Sequence, residues 1–313
     1  MIGLSRNSPW VIIPWYNREQ PNIEVFALDT SDETLPQLGC EVPNRPDSQM
    51  SFEFLKTSYN SCRENHPKCR QSLAVLPKRV IDISTTPLRL VEPTSGTRGT
   101  YAALSYRWGG WKSFTTTKTF DSLKKEIAYE SMPAVFQDFI RVARELSIDY
   151  IWIDSVCIIQ DDMDDWAEEA TKMAEIYENA SIVVAASSAP NPGASFLRNW
   201  TYSPLPAIPL NLAESGSKFI ARGKLNCGFH ASTRSHEEEI DLLDSRGWTL
   251  QEKVLARRWI SYSASELQWK CRTLASCQCQ KLSWVPESFL VDSETSEHNQ
   301  HAKWQLMIDE YTT

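Results

Sequence analysis

The feature that most constrains the fold is an alternation, between residues 101 and 186, of short unbroken apolar runs with longer amphipathic stretches. Tyr101–Tyr106 (YAALSY), Tyr150–Asp154 (YIWID) and Ser181–Ala186 (SIVVAA) are apolar runs of strand length, too short for helices. Between the first two, residues 131–147 put Val135, Phe136, Phe139, Ile140, Ala143 and Leu146 on one helical face. Ser131 is the expected N-cap of that helix and Pro133 falls in its first turn. Residues 164–179 predict a second amphipathic helix with Trp166, Ala170, Met173, Ile176 and Tyr177 inward. A strand with no polar alternation has to be covered on both faces, which parallel strands joined by crossover helices achieve. The expected fold class is therefore α/β, a mostly parallel sheet flanked by helices.

The rest of the chain is arranged around this core. Residues 1–50, rich in Pro, Asn and Asp, predict an irregular N-terminal lead-in, and 51–313 the domain proper. Phe52, Phe54, Leu55 and Tyr59 predict a short helix running into Cys62, His66 and Cys69. Residues 79–92 predict two short strands joined at Pro87, and the proline-rich stretch 187–217 an insertion or lid. A strand near Lys218–Arg222 follows. Ser245–Ala256 then predicts a turn entering a helix, and Trp259–Tyr262 and Leu267–Cys271 two more strands.

Bulk properties exclude several functions. A net charge of −8 argues against nucleic acid, because phosphate binding needs a basic surface. No window approaches the roughly 18 apolar residues of a membrane span. The apolar run Trp10–Trp15 contains Pro14 and lacks a small-residue cleavage site, so it does not read as a signal peptide. Eight cysteines without an export signal predict reduced thiols in a cytoplasmic protein. The 12 tryptophans predict an aromatic-rich interior in which each buried indole N–H seeks a partner. Glycine, at 11 residues, is scarce for a glycine-rich nucleotide fold, and no Walker loop, GxGxxG, GxSxG or HExxH occurs.

Three blocks carry a resemblance. The first is Tyr101–Gly109 (YAALSYRWG). The second runs from Tyr150–Asp161 (YIWIDSVCIIQD) through Trp166, Met173 and Tyr177 to Asn179-Ala180. The third is Arg246–Glu252 (RGWTLQE), continuing through Arg258 to Trp269 and Cys271. In this order they resemble the heterokaryon-incompatibility (HET) domain of fungal non-self recognition proteins. That family often has Cys where this chain has Arg107. Its pattern normally runs on past the third block with a Tyr-Thr-x-Arg segment, whereas this sequence ends Tyr311-Thr312-Thr313, so a domain truncated on its C-terminal side is expected. The resemblance implies a role in programmed cell death, with self-association or another incompatibility-locus protein as partner.

HET domains are in turn similar to Toll/interleukin-receptor (TIR) domains, which implies a TIR-like, flavodoxin-like core. Ser105-Tyr106-Arg107-Trp108-Gly109 resembles the TIR strand-end turn. Ser245, Trp248 and Glu252 match the Ser-x-x-Trp-x-x-x-Glu start of a helix in enzymatic TIR domains. The implied reaction is cleavage of the nicotinamide–ribose bond of NAD⁺, its substrate. A carboxylate near the ribose stabilises the oxocarbenium-like transition state, and Glu252 would supply it. Trp248, Trp108 or Tyr106 could stack on a ring, while Arg107 and the Gly109-Gly110 amides could meet the pyrophosphate. Against this stands the plainer reading that Glu252 is a helix-start carboxylate and that Trp248 and Trp152 are core. Asp154, Gln160 and Asp161 follow the second apolar run, where parallel sheets form ligand crevices; Asp154 either meets a ribose or holds its turn. Asp161–Asp165 fits N-capping of the next helix better than a calcium loop. Non-catalytic self-association, or a small-molecule enzyme on the same fold, remain the other classes.

Cys62, His66 and Cys69 are candidates for three zinc ligands, for which Cys40 could be the fourth; the spacing is not that of a common zinc finger, packing is the favoured reading, and no metal is assigned. Cys271, Cys277 and Cys279 are expected to be free thiols.

Overall fold

A computed structural model describes residues 10–12, 23–29, 40–110, 114–201, 208–210, 218–223, 242–243 and 247–279. In chain order its strands and helices are β1 (Trp10–Ile12), β2 (Ile23–Asp29), α1 (Gln49–Asn65), β3 (Ala74–Val75), β4 (Val80–Asp82), β5 (Arg89–Val91), β6 (Arg98–Gly99), β7 (Tyr101–Ser105), α2 (Phe120–Lys125), α3 (Ala134–Glu145), β8 (Tyr150–Trp152), α4 (Asp154–Cys157), α5 (Met163–Asn179), β9 (Ile182–Ala185), β10 (Ile208–Leu210), β11 (Lys218–Gly223), α6 (Gly247–Leu255), β12 (Arg258–Tyr262), β13 (Leu267–Cys271) and β14 (Ala275–Cys277).

The main sheet has eight strands in the order β14-β13-β12-β9-β7-β8-β4-β5. Its centre is parallel, with β7 between β8 and β9 and with β12 beside β9. Every residue of β7 and of β9 is buried, as continuous apolar strands covered on both faces must be. The two edges are antiparallel: the β4–β5 hairpin pairs with β8, and β13 and β14 fold back from β12. The sheet is therefore mixed rather than mostly parallel. Crossover helices supply only the central pairings; at the edges, short loops close hairpins and impose the antiparallel direction.

Side-chain parity on β7 shows how the helices are distributed. Tyr101 donates from its hydroxyl to the Ile176 carbonyl of α5 (2.6 Å), and Ser105, on the same face, reaches α6. Tyr106 has the opposite parity and packs edge-on against Phe136 of α3, with centroids 5.2 Å apart. Thus α3 covers one face, and α5 with α6 the other. The chain leaves β7 for β8 on one side and returns across it to β9 on the other, so a topological switch point lies between β7 and β9.

Several expectations are corrected in detail. α3 starts at Ala134 with Pro133 as its N-cap, and Ser131 lies in a preceding 3-10 turn. A residue before proline is driven out of helical backbone, and Met132 is extended (φ −73, ψ 148), so the helix cannot begin earlier. Trp166 is 49% exposed, while Asp165 and Glu169 are buried in the face expected to be apolar. Residues 1–50 are not wholly irregular: β1 and β2 form a four-stranded antiparallel sheet, β1-β2-β11-β10, with strands from the 208–223 region. The helix at 51–70 is a full 17 residues, α1, burying Phe52, Leu55, Tyr59 and Cys62. Asp162 does cap α5, accepting the N–H groups of Asp164 and Asp165 at 3.1 Å.

One buried ion pair locks the β4 edge to α5. Arg79 Nη2 lies 2.5 Å from Asp165 Oδ2, and Arg79 Nε donates to the Cys157 carbonyl (2.6 Å). Burial pushes the Asp165 carboxyl up, but hydrogen bonds from Arg79, Lys78 and the Ile159 N–H prevail and hold it down at about 2. The indoles of Trp152 and Trp269 are fully buried with no partner for their N–H among the described residues. Burying an indole gains on the order of 5 kcal/mol, which exceeds the roughly 1–3 kcal/mol cost of one unpaired donor. Among the described residues, no helix is long and apolar enough to cross a membrane.

Candidate functional site

The carboxyl ends of β7, β8, β9 and β12 converge at the switch point, where open α/β sheets bind ligands. Ser105, the last residue of β7, donates its hydroxyl to the Glu252 carboxylate across 147 residues of sequence. Glu252 lies in the second turn of α6 and is 4% exposed. Ser105, Ala185 and Ser261 lie in register side by side on β7, β9 and β12. Of this row of small residues, Ser105 is the one that bonds Glu252 of α6. Beyond them, the Ser187 and Ser261 hydroxyls share a hydrogen bond of 2.7 Å.

Thr249, one turn before Glu252, faces the same way. Its hydroxyl is fully buried with no partner among the described residues. A buried orphan hydroxyl beside a buried carboxylate calls for an explanation. Neither Thr249 nor the Ser187–Ser261 pair was singled out in the sequence. Thr249 lies within the third block, so helical spacing of i, i+3 from Glu252 was the signal that could have found it.

The other expected residues meet one strand over. Trp108 Nε1 donates to Asp154 Oδ2 (2.8 Å), and Asp154 Oδ1 accepts the Ser155 N–H (2.6 Å). Tyr106 is buried and donates to Ser155 Oγ (2.7 Å). Gln160 Nε2 donates to the carbonyls of Asp154 (3.2 Å) and Ile158 (3.3 Å). Asp154 thus holds the turn after β8 and joins it to the turn after β7, with Trp108 stacked on Phe114. Gly109 has φ +53, and a Cβ there would lie 2.6 Å from the Asn191 Cβ. Only glycine meets both demands, and it fixes the turn after β7 against the loop after β9. Arg107, in the turn after β7, is half-buried. Of Trp248 the backbone lies in α6; its side chain, together with Ser245 and Arg246, lies outside the described residues, as does the C-terminal end at Tyr311–Thr313.

The opposite, amino end of the strands has different chemistry. Cys62 of α1, His66 at its C-cap, Cys69 and Cys271 bring one ligand atom each within 4.8 Å of one another. Cys271 Sγ lies 3.5 Å from His66 Nδ1. The fourth member is Cys271, not Cys40, whose N–H instead donates to the Cys279 carbonyl (2.8 Å). Hydrogen bonds from Cys271, then Cys62 and Thr273, together with the Arg258 charge, lower the Cys69 thiol below its usual range. Beside the cluster opens a polar cavity of about 640 Å³, lined among others by Arg63, Arg70, Thr100, Ser181 and Arg258. A second group, Glu266, Cys277 and Cys279, is buried nearby in sequence; there the Cys279 N–H and thiol both bond the Glu266 carboxylate.

Residues 101–252 match the family model described as Heterokaryon incompatibility protein (HET), from the first residue of β7 to Glu252 itself. No curated protein and no solved structure matches the chain.

Proposed function

From the heterokaryon-incompatibility match over residues 101–252, we propose that the chain acts in non-self recognition and cell death by cleaving NAD⁺ at the carboxyl ends of β7, β9 and β12. The observation that carries this reading is the Ser105–Glu252 hydrogen bond: the two motif residues of the TIR resemblance meet at the switch point. The strand order β8-β7-β9-β12 supports a flavodoxin-like core of the TIR type.

In this reading Glu252 stabilises positive charge developing on the ribose as the bond to nicotinamide lengthens. The bonding pair leaves with nicotinamide, which departs neutral. Water adds to the anomeric carbon and loses one proton, so NAD⁺ and water yield ADP-ribose, nicotinamide and H⁺. Ser105 orients one carboxylate oxygen. Thr249 offers its buried hydroxyl to the same ligand. Arg107 and the Gly109-Gly110 amides take the pyrophosphate.

Incubating the purified chain with NAD⁺ and following nicotinamide release by chromatography tests this. Glu252→Gln keeps the size and lowers the rate by about 100-fold or more. If the concentrated wild-type chain leaves NAD⁺ intact, the hydrolase reading fails.

A second reading, assembly without chemistry, draws on the exposed Met163 (75%) and Trp166 (49%) in the first turn of α5. Self-association through that patch predicts oligomers by light scattering that Trp166→Glu disperses.

A further inference from the structure

We propose that Cys62, His66, Cys69 and Cys271 form a structural zinc site that closes the amino end of the sheet, outside the segment that matches the HET family. The four donors come from three separate elements: α1, the 3-10 turn Pro67–Cys69 and the end of β13. Yet their ligand atoms converge within 4.8 Å. A tetrahedral zinc bound by sulfur at about 2.3 Å and nitrogen at about 2.0–2.1 Å requires donor–donor edges of roughly 3.5–3.8 Å. The His66 Nδ1 to Cys271 Sγ separation of 3.5 Å has that length.

The donor set selects the metal. Three soft thiolates with one imidazole suit zinc and offer nothing to calcium or magnesium, which take oxygen ligands. Four protein donors fill the coordination sphere, so the site is structural rather than catalytic.

Packing alone is a poorer account. Cys62, Cys69 and Cys271 are at most 3% exposed, and apolar thiols could pack without drawing an imidazole nitrogen against sulfur. Nor does a disulfide fit: the three cysteines are unbridged, and any pairing among them would strand the third beside His66.

The surroundings complete the shell. The Leu274 N–H points at Cys271 Sγ (3.4 Å), and the Thr273 hydroxyl lies 3.5 Å from Cys69 Sγ. Three thiolates and Zn²⁺ carry a net charge of −1. The buried Arg258 guanidinium, donating to the Cys69 carbonyl (2.6 Å) and the Ser181 carbonyl (3.1 Å), compensates it. Such outer contacts orient ligands and tune affinity. The site thus fastens α1 to the β12–β13 hairpin, joining sequence on either side of residues 101–252. The Glu266, Cys277 and Cys279 group carries no such proposal, because its carboxylate already satisfies Cys279.

The test uses the full chain, expressed with added zinc, freed of any histidine tag and kept reduced. Elemental analysis should give one zinc per chain in the wild type and in Cys277→Ser, falling to background in Cys271→Ser. X-ray absorption at the zinc edge should read three sulfurs and one nitrogen. Should Cys271→Ser prove insoluble, His66→Cys serves instead, and its zinc shell should become four sulfurs. Zinc below stoichiometry in the wild type, an oxygen-rich shell, zinc undiminished in Cys271→Ser, or an unchanged shell in His66→Cys would each overturn the site.

Discussion

The two ends of the central strands are built from the same four segments but held by different chemistry. At the carboxyl end, carboxylates meet donors: Ser105 on Glu252, Trp108 on Asp154, Arg79 on Asp165. At the amino end, thiols and an imidazole gather, and arginines donate to carbonyls: Arg258 to Cys69 and Ser181, Arg257 to Arg70. The carboxyl end lies largely inside the HET match; the amino end is completed by α1 and β13, outside it. On the proposed reading, the difference teaches that one sheet reserves one end for ligand chemistry and the other for architecture. Each end should then fail under its own perturbation, acid and carboxylate substitutions at one, metal loss and thiol substitutions at the other.

The largest effect expected is on stability at the carboxyl end. Arg79→Ala leaves Asp165 as a buried charge stripped of its closest partner, at a cost of about 3–5 kcal/mol, while zinc content in the folded fraction stays at the wild-type value. Denaturant unfolding measures the loss. Combining Arg79→Met with Asp165→Leu should recover most of it, since well-packed apolar replacements of buried pairs are often neutral. A double variant as weak as the single one would show that the pair is not the lock.

Next comes Glu252→Gln, expected to remove about 3–4 kcal/mol of transition-state stabilisation, read as kcat. Its melting temperature should fall far less than that of Arg79→Ala.

Acid comes third. The Asp165 carboxyl sits at about 2 when folded, against about 3.9 in an unfolded chain. Because the folded value is the lower, its stabilisation is complete above roughly pH 5 and is lost as pH falls from about 4 towards 2, amounting to about 2 kcal/mol. Unfolding at a series of pH values should show this slope in the wild type and not in the Arg79→Met, Asp165→Leu double variant.

The smallest effect sharpens the ligand reading. Thr249→Val removes a buried orphan hydroxyl at nearly constant volume. Stability should stay within about 0.5 kcal/mol or rise, while NAD⁺ turnover drops about tenfold. A stability loss above about 1 kcal/mol with unchanged turnover would assign Thr249 to packing.

Much of the core was legible because the signals were local. YAALS and IVVA lack polar alternation, so their burial on both faces follows. Ser105 and Glu252, both singled out in the sequence on the resemblance, do meet. What escaped depended on distant partners. Cys271 lies 205 residues from His66, so nothing in the local pattern joins it to Cys62, His66 and Cys69. The face of α5 was misjudged because Asp165 and Glu169 occupy it, made tolerable by Arg79, Lys78 and Lys172. An apolar stripe cannot register charges buried by remote pairing, and so Trp166 was turned inward in expectation. The antiparallel edges escaped for a similar reason: the strands at 79–92 and 267–271 are expected from the sequence, but their direction is set by pairing with β8 and β12, which periodicity within one strand does not carry.

The most direct test of the account is NAD⁺ consumption by zinc-replete wild type and Glu252→Gln, with zinc content and unfolding curves measured on the same samples. The account predicts nicotinamide release by the wild type, a rate at least about 100-fold lower in Glu252→Gln, and equal zinc in both. Equal rates in the two proteins, or no release by either, would contradict it.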